Sequence, residues 1–311
     1  MAGKFGLFIL LALFATGSFA QSLLTVLREE GFTEFATLLE GSAGANVLSF
    51  NEPLIVYAPT NAALIRRRLH GVFPRDIGLN DLKPEYQCTP KPFHGDKRRR
   101  DAVCSDVPGP GAEDLMTLLD DPEFVNLPVG HNASIVQKNM PNGALPVVHT
   151  GLGDVVQVAG LDIPYDNGII RPVSGAFTLP QILSVTLPFL GADKTLGVLQ
   201  RTGFIKDLDT RTGITFLVPD NRAIPSNLPD DVFAEILRRH VILGTPIFTS
   251  DLKHGDSFKT LAGTTVTVTV QCGDVFIGGA RILTGDAIIK NGVAHTVDKV
   301  FMLASTLLCL V

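Results

Sequence analysis

The sequence predicts an α+β protein built as two tandem copies of one domain. Two observations carry this. The first is a set of landmarks that occurs twice in the same order. Val26-Leu27 and Gly31-Phe32 return as Val198-Leu199 and Gly203-Phe204. Leu54 to Ala62 returns as Thr215 to Ala223, and Asp166-Asn167-Gly168-Ile169-Ile170 returns as Lys290-Asn291-Gly292-Val293-Ala294. The second is that each copy opens on a helical pattern and closes on β-prone runs, so helices and strands are segregated within each unit. Repetition on this scale indicates two domains rather than one large enzyme with a single divided site.

The chain starts with Lys4, an apolar run from Phe5 to Ala15, and small residues at Ser18 and Ala20 before Gln21. These are the parts of a secretory signal peptide over 1–20, and the run is too short to span a bilayer. The bland alternative is the first helix of a cytosolic protein. The expected domains are 21–190 and 191–311.

Offsets between the copies locate what differs. Gly31 to Gly203 is 172 positions, Asn61 to Asn221 is 160, and Asn167 to Asn291 is 124. Copy one therefore holds about 12 extra residues before its first motif and about 36 between the two motifs. The larger excess includes 87–112, rich in Pro and Gly and carrying Lys97-Arg98-Arg99-Arg100. It reads as a surface loop, either simply solvated or open to proteases that cut at basic pairs.

In copy one, Leu23, Leu27, Phe35, Leu38 and Leu39 fit a helical face broken at Gly31. Each first motif is an apolar strand ended by Pro59 or Pro219. Thr60-Asn61 and Asp220-Asn221 follow, and these residue types cap helices. In copy two a helix over 231–239 precedes a strand from His240. Thr264 to Gln271 alternates Thr and Val, as a strand with one buried face should. Asn291-Gly292 signals a hairpin with a type I′ turn, whose central residues both need positive φ. The apolar stretch 181–191 is unlike a free linker and implies that the domains pack together. Phe301 to Val311 reads as a last strand.

The net charge of −5 gives no reason to expect a nucleic-acid partner. No later segment is long and apolar enough for a membrane span. Four cysteines in an exported chain suit disulfides. Pairing Cys88 with Cys104 and Cys272 with Cys309 is the simplest of three connectivities. Their spacing does not support zinc. Asp207-Leu208-Asp209 hints at a calcium loop, but Arg211 sits where an oxygen ligand is needed. No metal, cofactor or catalytic motif is expected. His240 and His295 read as hydrogen-bonded structural residues on strands. Asn132-Ala133-Ser134 is the glycosylation acceptor motif.

The ordered motifs resemble the fasciclin domain. In copy two they are Val218-Pro219-Asp220-Asn221, His240-Val241, Leu261-Ala262-Gly263 and Asn291 through Asp298. In copy one they are Ala58-Pro59-Thr60-Asn61 and Asp166 through Ile170. Phe124-Val125-Asn126-Leu127-Pro128 and Thr150-Gly151-Leu152-Gly153 look like the first domain of secreted two-domain fasciclin proteins of filamentous fungi. Copy one departs where Arg171-Pro172 replaces the family's His, and Tyr86-Gln87 stands where a Tyr-His pair is expected.

The resemblance implies a β-sandwich or wedge packed with helices, acting in adhesion at a cell surface, wall or extracellular matrix. In animal members an Asp-Ile pair before the Asn-Gly turn is linked to integrin binding. Asp162-Ile163 holds that position in copy one, and Asp286-Ala287 keeps the acid in copy two. The competing reading makes Asp162 a turn residue and Ile163 core. The leading expectation is a secreted, non-enzymatic adhesion or wall-associated module that binds matrix, wall or surface components, with self-association as a further expectation. The runner-up is a carrier of an apolar small molecule or lipid between helices and sheet; a hidden hydrolase comes third.

Overall fold

The computed structural model describes residues 21–41, 44–70, 82–90, 112–140, 143–226 and 228–302. The expected signal segment, Lys97 to Arg100, Cys104, Cys309 and nearly all of the expected last strand lie outside the described residues.

The first domain begins with α1 (Leu23–Glu29), α2 (Thr33–Glu40) and α3 (Ala45–Leu48). Strand β1 (Leu54–Pro59) then leads into α4 (Asn61–His70), β2 (Cys88–Pro90) and β3 (Ala112–Met116). The strands β4 (Ser134–Lys138), β5 (Val147–His149), β6 (Val155–Gln157), β7 (Ile163–Tyr165) and β8 (Gly168–Val173) complete it. One sheet runs β2-β1-β8-β7 and a second runs β3-β4-β5-β6. Strand β1 is buried along its whole length because it is covered on both faces. Leu54, Val56 and Ala58 point to the helices, while Ile55 and Tyr57 point to the second sheet.

The second domain repeats the plan. Helices α5 (Leu183–Thr186), α6 (Asp193–Arg201) and α7 (Phe204–Thr210) precede β9 (Ile214–Pro219), α8 (Asp230–Arg238) and β10 (Val241–Leu243). Strands β11 (Ser257–Lys259), β12 (Thr265–Gln271), β13 (Asp274–Ile277), β14 (Ala280–Ile289) and β15 (Gly292–Val297) follow. Its sheet order, β10-β9-β15-β14-β13-β12-β11, opens with the counterparts of β2-β1-β8-β7. The parallel pair β1–β8 runs from Leu54↔Gly168 to Pro59↔Val173, and β9–β15 runs from Ile214↔Gly292 to Pro219↔Val297, six residues in the same register. The result is two tandem domains of one α+β plan, each with a central parallel pair between helices and further β-structure.

Two local expectations are corrected. The Asn-Gly hairpins form, but neither Asn167 nor Asn291 has positive φ, so the turns are not type I′. The glycine serves a close approach instead. A Cβ on Gly168 would lie 2.0 Å from Leu54 O, and one on Gly292 1.8 Å from Ile214 O. The asparagine fixes the turn from outside. Asn291 Nδ2 donates to Leu208 O and Arg211 O, both at 2.7 Å, while Ile214 N donates to Asn291 O at 2.8 Å. Asn167 repeats this on Phe50 O and Glu52 O. In copy two, residues after Pro219 form a turn, with Arg222 N donating to Asp220 Oδ1 at 2.8 Å, and the helix waits until Asp230.

The domains share a continuous interface. Val136 of β4 packs with Phe248, Ile288 and Val293 of the second domain. Backbone bridges join Gly151 to Ile288 and Gln181 to Ile289. Asn126 N donates to Lys290 O at 2.7 Å, and its side chain donates to Thr210 O and Arg211 O at 3.2 Å. The apolar 181–191 stretch is absorbed into the second core through Leu183 and Leu187.

Candidate functional site

The motif asparagines and histidines are spent on architecture. Asn61 Oδ1 accepts from Glu34 N at 3.0 Å in the first turn of α2, and Asn221 Oδ1 accepts from Lys194 N at 3.2 Å in the first turn of α6. Each satisfies a helix N–H that no local side chain reaches. His240 is buried beside Phe301, with ring centroids 4.1 Å apart. Phe301 N can only donate, so it makes Nε2 the acceptor at 2.9 Å; Nδ1–H then donates to Leu217 O at 2.8 Å. Burial pushes the His240 pKa down to about 4.

Gln87 occupies the same place in copy one. With the amide oriented to satisfy both neighbours, its nitrogen donates to Tyr57 O at 2.8 Å and its oxygen accepts from Phe177 N at 2.6 Å. Tyr57 and Phe177 are the counterparts of Leu217 and Phe301 by the 160 and 124 offsets. A neutral amide thus reproduces both bonds of a neutral imidazole.

The Asp positions diverge. Asp162 is partly exposed, and Arg171 grips it with two bonds, Nε to Oδ1 at 2.8 Å and Nη2 to Oδ2 at 2.6 Å. Arg171 Nη1 also donates to Gln137 Oε1 at 2.8 Å. Ile163 is partly buried against the helical core, while Leu161 beside it is 86% exposed. Asp286 is different: it is 0% exposed, with φ of 67°. Its carboxylate accepts from Thr249 N at 2.8 Å and from the Thr249 hydroxyl, and faces Lys138 Nζ at 2.7 Å. Asp286 N donates to His295 Nδ1 at 3.0 Å, so His295 Nε2–H donates to Ile247 O at 2.8 Å and the ring is neutral. Burial lowers the His295 pKa. Burial also works against ionised Asp286, but the adjacent His295, then Lys138 and Thr249, oppose it and hold its pKa below the usual carboxylate value. Asp286 therefore has no surface to offer a partner, which removes it as a contact residue.

Asn132 is half-buried, and its Nδ2 donates to Thr117 O at 3.1 Å. Cys88 is a free thiol, wholly buried among core side chains. β2 pairs Cys88 with Val56 inside the sheet, which does not fit the expected Cys88–Cys104 bridge; Cys104 itself lies outside the described residues. Cys272 is exposed at a turn with φ of 48°.

Sequence reasoning missed one place, a cleft of about 250 Å³ between the domains. Asp114, Met116, Leu127, His131, Asn132 and Ser134 line it from the first domain, and Thr245, Pro246, Phe248, Asp251, Ile288 and Lys290 from the second. It lies between the domains, not between helices and sheet. No single segment encodes it, so no motif could have marked it.

The fasciclin domain family model matches residues 191–303. Residues 191–303 are thus a fasciclin domain. A fasciclin-like arabinogalactan protein of Cercospora beticola is 27% identical over 195 residues, covering 60% of this chain and 52% of that protein. One from Arthroderma benhamiae is 24% identical over 59% of this chain and 44% of its own. Human periostin is 24% identical over 55% of this chain and 21% of its own. The chain spans about half the length of the fungal relatives it matches. A FAS1 domain pair from the insect cell adhesion molecule Fasciclin I overlays with TM-score 0.41 at 18% identity, covering 89% of this chain and 99% of that one. Among the described residues no helix of this fasciclin-like chain is long and apolar enough to cross a membrane.

Proposed function

We propose that this fasciclin-like chain is an exported, non-enzymatic binding module that holds to matrix, wall or cell-surface components. One observation carries the reading. The polar residues that recur in both domains are consumed in making the fold, and both buried histidines have both ring nitrogens engaged. A general base needs a free nitrogen within reach of substrate. What remains for recognition is surface, displayed by two domains fixed against each other, which suits many weak contacts added together. The names of the fungal relatives, fasciclin-like arabinogalactan proteins, support this reading.

The candidate contact is the turn at Leu161-Asp162, where a large apolar side chain stands in solvent beside a carboxylate held rigid by Arg171. The test is fractionation of cultures between medium, wall and membrane, followed by retention of protein-coated beads on isolated wall or matrix. Retention should fall when Leu161→Ser and Asp162→Asn are combined. Uncoated and coated beads retained equally, with all protein free in the medium, would overturn the reading.

A further inference from the structure

The cleft between the domains has the chemistry of a small binding site, and its polarity states what it prefers. Its floor is apolar, the buried Phe248 and Ile288 of the second domain, with Leu127 and the half-exposed Met116 of the first beside them. Its polar edge carries two carboxylates from different domains, Asp114 in the middle of β3 and Asp251 three residues after Phe248.

The two acids are held in place but not neutralised. Asp114 Oδ1 accepts from Ser250 Oγ at 3.1 Å, across the domain boundary. Asp251 Oδ2 accepts from Phe248 N at 3.4 Å. Among the described residues neither has an ion-pair partner, although ten other acid–base contacts are made. Burial, then Asp114, then Asp286 push the Asp251 pKa up against the opposing pull of Phe248 N and Lys253. Lys290 also lines the cleft, so one cation stands there against the two carboxylates.

We propose that this cleft binds a small organic ammonium ion, its charged nitrogen between Asp114 and Asp251 and its apolar body against Phe248, Met116 and Leu127. A cation removes the repulsion between the two carboxylates, and the floor covers carbon that water would otherwise hydrate. At about 250 Å³ the space sits below the range of drug-sized pockets and holds one ring or a short chain, not a lipid. The site exists only while the domains are docked, since each contributes one carboxylate. The proposal stands independently of the adhesion reading.

The test is calorimetry on the mature two-domain chain near pH 7, with benzylamine as the probe and benzyl alcohol as its neutral isostere. Benzylamine should bind one to one, with the alcohol at least about tenfold weaker. Asp114→Asn and Asp251→Asn should each weaken benzylamine about five- to tenfold, leave the alcohol unchanged, and leave unfolding midpoints near the parent value. Met116→Trp, which fills the floor, should remove both ligands. Equal affinity for amine and alcohol would overturn the proposal. So would amine binding untouched in the Asp114→Asn/Asp251→Asn double variant, or no binding at 10 mM probe (about 2.7 kcal/mol per hundredfold change in affinity).

Discussion

Lys138 of the first domain sets its ammonium 2.7 Å from the carboxylate of Asp286 in the second. Asp286 has no exposure, and Lys138 keeps 24%. The neighbouring Gln137, on the opposite face of β4, serves Arg171 and Tyr57 in its own domain. One strand therefore supports the acid of both copies, by the two-residue alternation of its side chains.

Removing that cation should destabilise a domain it does not belong to. Lys138→Met leaves a buried carboxylate unpaired and should cost about 2–3 kcal/mol, discounted for the partial exposure of the lysine. Asp286→Asn should recover part of the loss in the double variant, because Asn accepts the left-handed conformation at that position. Denaturant unfolding of the four proteins measures the coupling. Additive effects would mean that the pair carries no stability.

Stability should fall with acid as His240 is forced to protonate. Its folded pKa of about 4 lies below the ordinary 6.5, so the unfolded chain binds more protons between those values. Stability is fully present above about pH 6.5 and drains as pH drops towards 4, by about 2 kcal/mol at pH 5. Asp286, with its pKa lowered, adds a further loss below about pH 4. His240→Gln copies the solution the first domain already uses at Gln87. It should stay within about 1 kcal/mol of the parent at pH 7 and flatten the slope between pH 7 and 5. Urea titrations at the two pH values decide this.

The Asn-Gly pairs should separate into two kinds of defect. Gly292→Ala drives a methyl into Ile214 O and should cost at least about 3 kcal/mol, with Gly168→Ala behaving alike against Leu54 O. Asn291→Ala loses two bonds to carbonyls near the end of α7 and should cost about 2 kcal/mol. A glycine requirement set by the turn instead of the parallel strand would make Gly292→Ala mild, within about 1 kcal/mol.

Cys88 should be silent in the native protein. Burial raises its thiol pKa strongly and removes it from solvent, and the thiolate is the reactive form. Iodoacetamide should leave Cys88 unlabelled until denaturant unfolds the first domain, as mapped by peptide mass. Native labelling, or recovery of a Cys88 disulfide peptide, would contradict the buried free thiol.

The sequence by itself determined the repeat, the domain plan and the strands. Those features are written in local period and order: the Thr-Val alternation at β12, the apolar run ended by Pro59 or Pro219, the Gly31 and Gly203 breaks. It also marked the residues that recur, but not why they recur. Asn291 read as a turn former because only its neighbours were visible; its amide in fact reaches Leu208, 83 positions away. Only the tertiary structure could reveal that Gln87 substitutes for a histidine, since the equivalence lies in two distant backbone groups it bonds. Only it could bury Asp286 while leaving Asp162 at the surface, because the difference is whether the other domain covers that turn. The interdomain cleft has the same origin: Asp114 and Asp251 are 137 positions apart, and their meeting depends on docking that no local pattern records.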